Sequence, residues 1–207
     1  MTSSSLPYDA VLCDLDGVIR SYDHSELAEL ERQFGAPAGE TARIAFSAEH
    51  ATPVLLGEIG EAEWAAGVAE ALAARLPRAR ARELGEALRR APQRVDAAVV
   101  ALLREARAKM PLVLVTNATR RLDADLAALG LADLADHVVN SAAVGVRKPH
   151  DGIYRIAAER VPVATGRCLF VDDLWENVLT ARRLGMTGVH YRGVEDLGEA
   201  LLPLAGA

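Results

Sequence analysis

YDAVLCDLDGV, residues Tyr8 to Val18, is the stretch on which the fold turns. Its first seven residues, Tyr8 to Asp14, make an apolar run closed by an acid, the pattern of a strand buried on both faces of a parallel sheet. Four later runs repeat it: Pro111 to Thr116 (PLVLVT), His137 to Asn140 (HVVN), Arg167 to Asp172 (RCLFVD) and Thr187 to Tyr191 (TGVHY). Between them lie helical patterns that stop at glycine, such as Arg121 to Leu129 before Gly130 and Trp175 to Leu184 before Gly185. Strand and helix alternate from about residue 94 onward, which predicts an α/β fold with a doubly wound, Rossmann-like parallel sheet as its core.

The interval between the first two runs breaks this rhythm. From Ser21 to Ala91 the residues are mostly Ala, Glu, Leu and Arg at helical spacing, punctuated by Gly35, Pro37, Pro53, Gly57 and Pro77. A crossover between parallel strands needs about a dozen residues, and this segment is far longer. The spacing predicts an inserted α-helical cap of about four helices, with Arg94 to Lys109 as the helix that returns to the sheet. The core is then residues 1–20 and 93–207, and the cap residues 21–92. No fixed-period repeat or Ser/Gly tract separates them. The segment Arg75 to Arg94 is strongly basic; a solvated helix face is its plainest reading, and an arginine reaching an anionic ligand the sharper one.

Composition narrows the class. With 207 residues, 51% of them hydrophobic, the chain can bury a sizeable core, which excludes global disorder. A formal charge of −6 argues against coating nucleic acid or an anionic membrane surface. Cys13 and Cys168 each sit inside an apolar run and read as buried hydrophobes. The five histidines lack zinc-type spacing. The first residues lack a signal-peptide pattern and no apolar stretch approaches the length of a membrane span, so the expectation is a cytoplasmic protein. No oligomeric state is legible.

In open α/β sheets the ligand crevice lies beyond the carboxyl ends of the strands. There the sequence places Asp14, Asp16 and Gly17 after the first run, Thr116 and Asn117 after the second, and Asp172 with Asp173 after the fourth. Lys148-Pro149 precedes a helix beginning near Asp151. Singly, each motif has an ordinary explanation as a cap or turn. Together and in this order, DLDGV, VTN, RKP and FVDD resemble the haloacid dehalogenase (HAD) superfamily, in its phosphatase-like branch with a helical cap.

That resemblance implies an aspartyl-phosphate mechanism. Asp14 would be the nucleophile and Asp16 the general acid and base; Thr116 and Lys148 would bind the phosphoryl group, with Asn117 close by. Asp14, the backbone carbonyl of Asp16 and Asp172 would hold Mg²⁺, with Asp173 an auxiliary metal or lysine-orienting residue. The substrate would be a small phosphorylated metabolite, because a cap that closes over the crevice excludes water and large polymers. His150 after the lysine motif, and Val18-Ile19-Arg20 after the acid pair, depart from the commoner family pattern without touching the acids.

Physical chemistry supports these roles. Enzymes accelerate phosphate monoester hydrolysis by up to about 10²¹-fold, whereas general acid help supplies only about 10² to 10⁴. Positioning, a metal clamp and a covalent step must supply the rest. Four ionised aspartates against Mg²⁺ and Lys148 leave one negative charge before a phosphate dianion arrives. Arg20 is the nearest further cation, a candidate for binding the substrate. Two other readings share the motifs: a phosphosugar mutase with the same intermediate, and a receiver-like phospho-accepting module, which needs neither Asp16 nor a cap.

Overall fold

The computed structural model describes residues 7–205. In chain order its first elements are β1 (Ala10–Cys13), β2 (Arg20–Tyr22), α1 (Ser25–Phe34), α2 (Glu40–Ala45), α3 (Ala48–Leu55), α4 (Glu61–Leu72), α5 (Arg78–Arg89) and β3 (Gln93–Val95). There follow α6 (Ala97–Arg107), β4 (Leu112–Thr116), α7 (Leu122–Ala128), β5 (His137–Asn140), α8 (Ser141–Val144), α9 (Asp151–Arg160), β6 (Cys168–Asp172), α10 (Trp175–Arg183), β7 (Thr187–His190) and α11 (Val194–Ala205). The chain forms two compact units: one runs to Ser21 and resumes at Val95, and the other is Tyr22–Arg94.

The first unit is built on a five-stranded sheet in the order β5-β4-β1-β6-β7, with every pairing parallel. Each of β1, β4 and β6 is buried along its whole length, and successive residues feed opposite layers. Val11, Cys13, Leu112, Leu114, Leu169 and Val171 pack with Leu103 of α6, Leu126 of α7 and Leu197 of α11. Their alternates Leu12, Val113, Val115 and Phe170 pack with Ile153 and Ala157 of α9 and Ala181 of α10. This two-faced burial is why the strands read as unbroken apolar runs. β1 lies at the centre, with β4 on one side and β6 on the other, so the sheet's strand order reverses beside it. Crevices form at such switch points.

Two boundaries differ from the sequence expectation. Arg94 and Val95 belong to β3, which pairs with β2, and the returning helix starts only at Ala97. Asp96 stops it from starting earlier, because its carboxylate accepts the N–H groups of Ala98 (2.9 Å) and Val99 (3.2 Å) as an N-cap. Trp175 is 45% exposed, with the Arg182 guanidinium 5.0 Å from its ring.

The second unit contains five helices where the spacing suggested about four. The extra break is at Ser47, whose backbone is extended and whose hydroxyl donates to the Ile44 carbonyl (2.7 Å), ending α2 before α3 begins. Leu27, Val68, Leu72, Leu84 and Leu88 form its core. α4 and α5 approach closely at Gly85, where a Cβ would stand 3.1 Å from the Ala65 carbonyl oxygen. Glu31 is buried, and its carboxylate accepts N–H bonds from Gly39 (2.7 Å) and Thr41 (2.8 Å), satisfying the turn into α2. The arginines of the basic segment, from Arg75 to Arg90, are exposed. Cys13 and Cys168 are buried and form no disulfide.

Candidate active site

Asp14 follows the last residue of β1 directly, so the strand carries its side chain to the carboxyl rim. Its N–H donates to the Val171 carbonyl (2.9 Å), and its Oδ1 accepts from the N–H of Leu15 (2.7 Å). The Lys148 ammonium lies 2.6 Å from Asp14 Oδ1 and 2.7 Å from Asp172 Oδ2, with all three side chains buried. Asn117 fixes the lysine from behind. Its Nδ2 donates to the Lys148 carbonyl (3.0 Å) and its Oδ1 accepts the Lys148 N–H (2.8 Å).

Burial alone disfavours the Lys148 ammonium, but Asp14 and Asp172 more than offset it and the net shift is upward. For Asp14, burial is the largest influence and raises its pKa well above the usual carboxylate range; Lys148 opposes this and Asp172 adds to it. The two directions agree: two buried carboxylates share one ammonium, and the cluster favours more positive charge.

Asp173 adds a third carboxylate. Burial, then the neighbouring Asp172, raises its pKa. One oxygen each from Asp14, Asp172 and Asp173 lie within 4.8 Å of one another. Gly17 makes room for this: its φ is +83°, and a Cβ there would overlap the Asp173 carboxylate. Three carboxylates against one lysine leave two negative charges on an all-oxygen donor set, which fits a hard divalent cation. Asp172 is already heavily engaged: besides Lys148, its Oδ1 accepts from the Leu174 N–H (2.8 Å) and Asn177 Nδ2 (2.9 Å).

Thr116 ends β4, the neighbour of β1. Its hydroxyl is fully buried and has no hydrogen-bond partner among the described residues. An orphaned hydroxyl at a strand end on this rim has a binding group's character, and Asn177 Oδ1 is likewise buried without a partner among the described residues. Asp16 and Arg20 stand together rather than in the carboxylate cluster. Arg20 Nε donates to Asp16 Oδ1 (2.6 Å) and Arg20 Nη2 to Asp16 Oδ2 (2.9 Å).

Sequence reasoning did not single out Asn177, Ser141 or Asp125. Asn177 occupies the first turn of α10, five residues after Asp172, a spacing that lets a short amide reach back to the strand end. Ser141 is buried, and its Oγ accepts the Ala118 N–H (3.2 Å), steadying the loop after Thr116. Asp125 meets Arg20 only through space.

The ends of strands β1, β4 and β6 bring buried acids and an unpartnered hydroxyl to one rim of a parallel sheet, where the loop before α9 adds Lys148. The model of the haloacid dehalogenase-like hydrolase family matches residues 8–185, and the chain belongs to that family. It is similar to the sesquiterpene phosphatase astK of Aspergillus oryzae, 38% identical over 58 residues, which is 28% of this chain and 30% of that protein. It is also similar to the phosphatase MT3486 of Mycobacterium tuberculosis, 43% identical over 56 residues, 27% of this chain and 26% of that one. These matches span less than a third of either relative's length. Among solved structures, a HAD family enzyme from Bacteroides thetaiotaomicron in complex with magnesium and inorganic phosphate aligns with TM-score 0.66 at 18% identity, covering 87% of this chain and 92% of that one. Among the described residues, no helix is long and apolar enough to cross a membrane.

Proposed function

We propose that the protein is a Mg²⁺-dependent phosphatase of a small phosphorylated metabolite, acting through a phosphoryl group carried on Asp14. The observation that carries this reading is the buried Asp14–Lys148–Asp172 cluster beside the unpartnered Thr116 hydroxyl. The phosphatase names of astK and MT3486 support it. So does the neighbour of the same fold that holds magnesium and inorganic phosphate.

Asp14 attacks the phosphorus and the leaving alkoxide departs, with Asp16 giving it a proton. Asp16 then takes a proton from the water that hydrolyses the acyl phosphate and restores Asp14. Thr116 donates its free hydroxyl to a phosphoryl oxygen, and Lys148 offsets the dianion's charge. Asn117 and Asp172 hold Lys148 in place. Asp14, the Asp16 carbonyl and Asp173, the carboxylate that faces Gly17, would hold the metal, while Asp172, which already accepts from Lys148, Leu174 and Asn177, would orient the lysine. This exchanges the two acids' roles relative to the sequence expectation. A bound Mg²⁺ supplies charge neutralisation between nucleophile and phosphate. The helical unit, Tyr22–Arg94, acts as the cap and selects the substrate.

Phosphate release from p-nitrophenyl phosphate, with Mg²⁺ and with chelator, tests the proposal. The expected result is metal-dependent turnover that falls at least about 10³-fold in Asp14→Asn. Equal turnover by the variant removes the nucleophile assignment. Isomerisation of a sugar phosphate without net release moves the assignment to a mutase.

A further inference from the structure

Arg20 is buried (3% exposed), although Asp16, which it grips, is one of the more open side chains of the rim. Its fork takes both oxygens of one carboxylate, a geometry that fixes the carboxylate's direction and plane. The remaining nitrogen, Nη1, faces Asp125 Oδ2 on α7 at 3.7 Å, and Asp125 also faces Arg121 at 3.5 Å. Backbone bonds close the same loop: the Gly17 N–H donates to the Arg20 carbonyl (2.8 Å) and the Arg20 N–H to the Leu15 carbonyl (2.9 Å). Asp16 and Arg20 are therefore the two ends of one short loop, locked by main chain and side chain together, with an anchor on a separate helix.

A loop already closed by its backbone does not need a buried guanidinium for stability. An apolar residue there would avoid the desolvation of a charge. Arg20's fork is taken up by Asp16, and Asp125 lies beside its Nη1, so the guanidinium serves these carboxylates in the fold.

We infer that Arg20, backed by Asp125, is a positioning residue that aims the Asp16 carboxylate at the leaving-group oxygen. The inference rests on the phosphatase reading, in which Asp16 protonates the leaving group. A proton donor matters in proportion to the basicity of what leaves. A misaimed Asp16 should therefore hinder expulsion of a basic alkoxide or phenoxide, yet scarcely affect an anion that departs unaided.

The experiment compares kcat/KM for phenyl phosphate and 2,4-dinitrophenyl phosphate, because kcat/KM reports only the steps through departure of the first leaving group. Arg20→Leu is expected to lose about 30-fold or more on the phenyl ester and less than about 3-fold on the dinitrophenyl ester. Arg20→Lys should recover little of this, since an ammonium cannot hold both oxygens in one plane. Asp125→Asn keeps Arg20 but loosens its anchor, and should show a smaller loss of the same sense. It and Arg20→Lys carry the test should Arg20→Leu fail to fold. Inhibition by inorganic phosphate should be unchanged in all three. Equal losses on the two esters, or weakened phosphate inhibition, overturn the inference while leaving the phosphatase reading intact. A wild-type protein inert toward both esters, with and without Mg²⁺, overturns that reading and this inference with it.

Discussion

Both units bury acidic side chains, and they do so to opposite ends. In the helical unit Glu31 is buried, but its carboxylate accepts two backbone N–H groups of a turn that would otherwise lack partners. Glu40 is likewise buried and faces Arg75 (3.2 Å) and Arg43 (3.6 Å), whose side chains are 73% and 72% exposed. In the sheet unit three carboxylates crowd one lysine, and the Thr116 hydroxyl beside them has no partner. Buried charge whose bonds close within the protein holds a fold together. Buried charge left in surplus waits for a ligand.

The strongest way to break this contrast is Lys148→Met. It strips the Lys148 ammonium from the Asp14–Asp172 pair, and the expected outcome is a stability loss of about 3–5 kcal/mol in denaturant titration together with loss of turnover. Retention of full stability would mean that the lysine is not what compensates the two buried acids. Gly17→Ala should come next. Its positive φ costs a non-glycine residue about 1–2 kcal/mol, and the added methyl displaces Asp173, so Mg²⁺ activation should demand about tenfold more metal or more. An unchanged metal requirement would remove Asp173 from the ligand set.

Glu31→Ala probes the other half of the comparison. The buried Thr41 N–H and the less buried Gly39 N–H lose their acceptor, for an expected loss of about 1–3 kcal/mol. Hydrogen exchange should rise within Tyr22–Arg94 while the amides of β1, β4 and β6 keep their protection. Thr116→Val should carry the opposite sign. Removing an orphaned hydroxyl is expected to raise stability by up to about 1 kcal/mol while weakening inorganic phosphate inhibition about tenfold. A fall in stability would show that the hydroxyl already serves the fold.

The smallest effect is a pH slope. Asp14 and Asp173 have raised pKa values in the folded protein, so between about 4 and those values the native state holds protons that the unfolded chain has released. Stability in chelator should therefore decline as pH rises through that window. Mg²⁺, which displaces those protons, should flatten the decline. A rise in stability with pH in chelator would contradict the surplus of negative charge.

The sheet was legible because burial on both faces leaves a sequence signature. HVVN and RCLFVD are apolar runs ended by polar residues, and both lie where β5 and β6 form. The two three-residue strands, β2 and β3, left no such trace, since RSY and QRV pair with each other and bury little. The strand-end acids were legible for the same geometric reason as the strands. What their side chains touch was not. Arg20 meets Asp125 across more than a hundred residues of chain, and Asn117 clamps the Lys148 backbone, and neither contact imposes any spacing on the sequence. The distinction between Asp172 and Asp173 also needed coordinates, because it depends on which carboxylate Leu174 and Asn177 engage.

The central place of β1 has a consequence for synthesis. Among the described strands of the sheet β1 comes earliest in the chain, while its neighbours β4 and β6 are made much later, so it waits for both partners. Until then an apolar run, together with the acid at its end, waits without a sheet, and chains in that state are prone to associate. A chain made only as far as β5 holds Asp14 but neither Lys148 nor Asp172. Ligand-binding capacity should therefore arise late and all at once, as β6 docks, making phosphate or metal binding a sensitive reporter of completed folding.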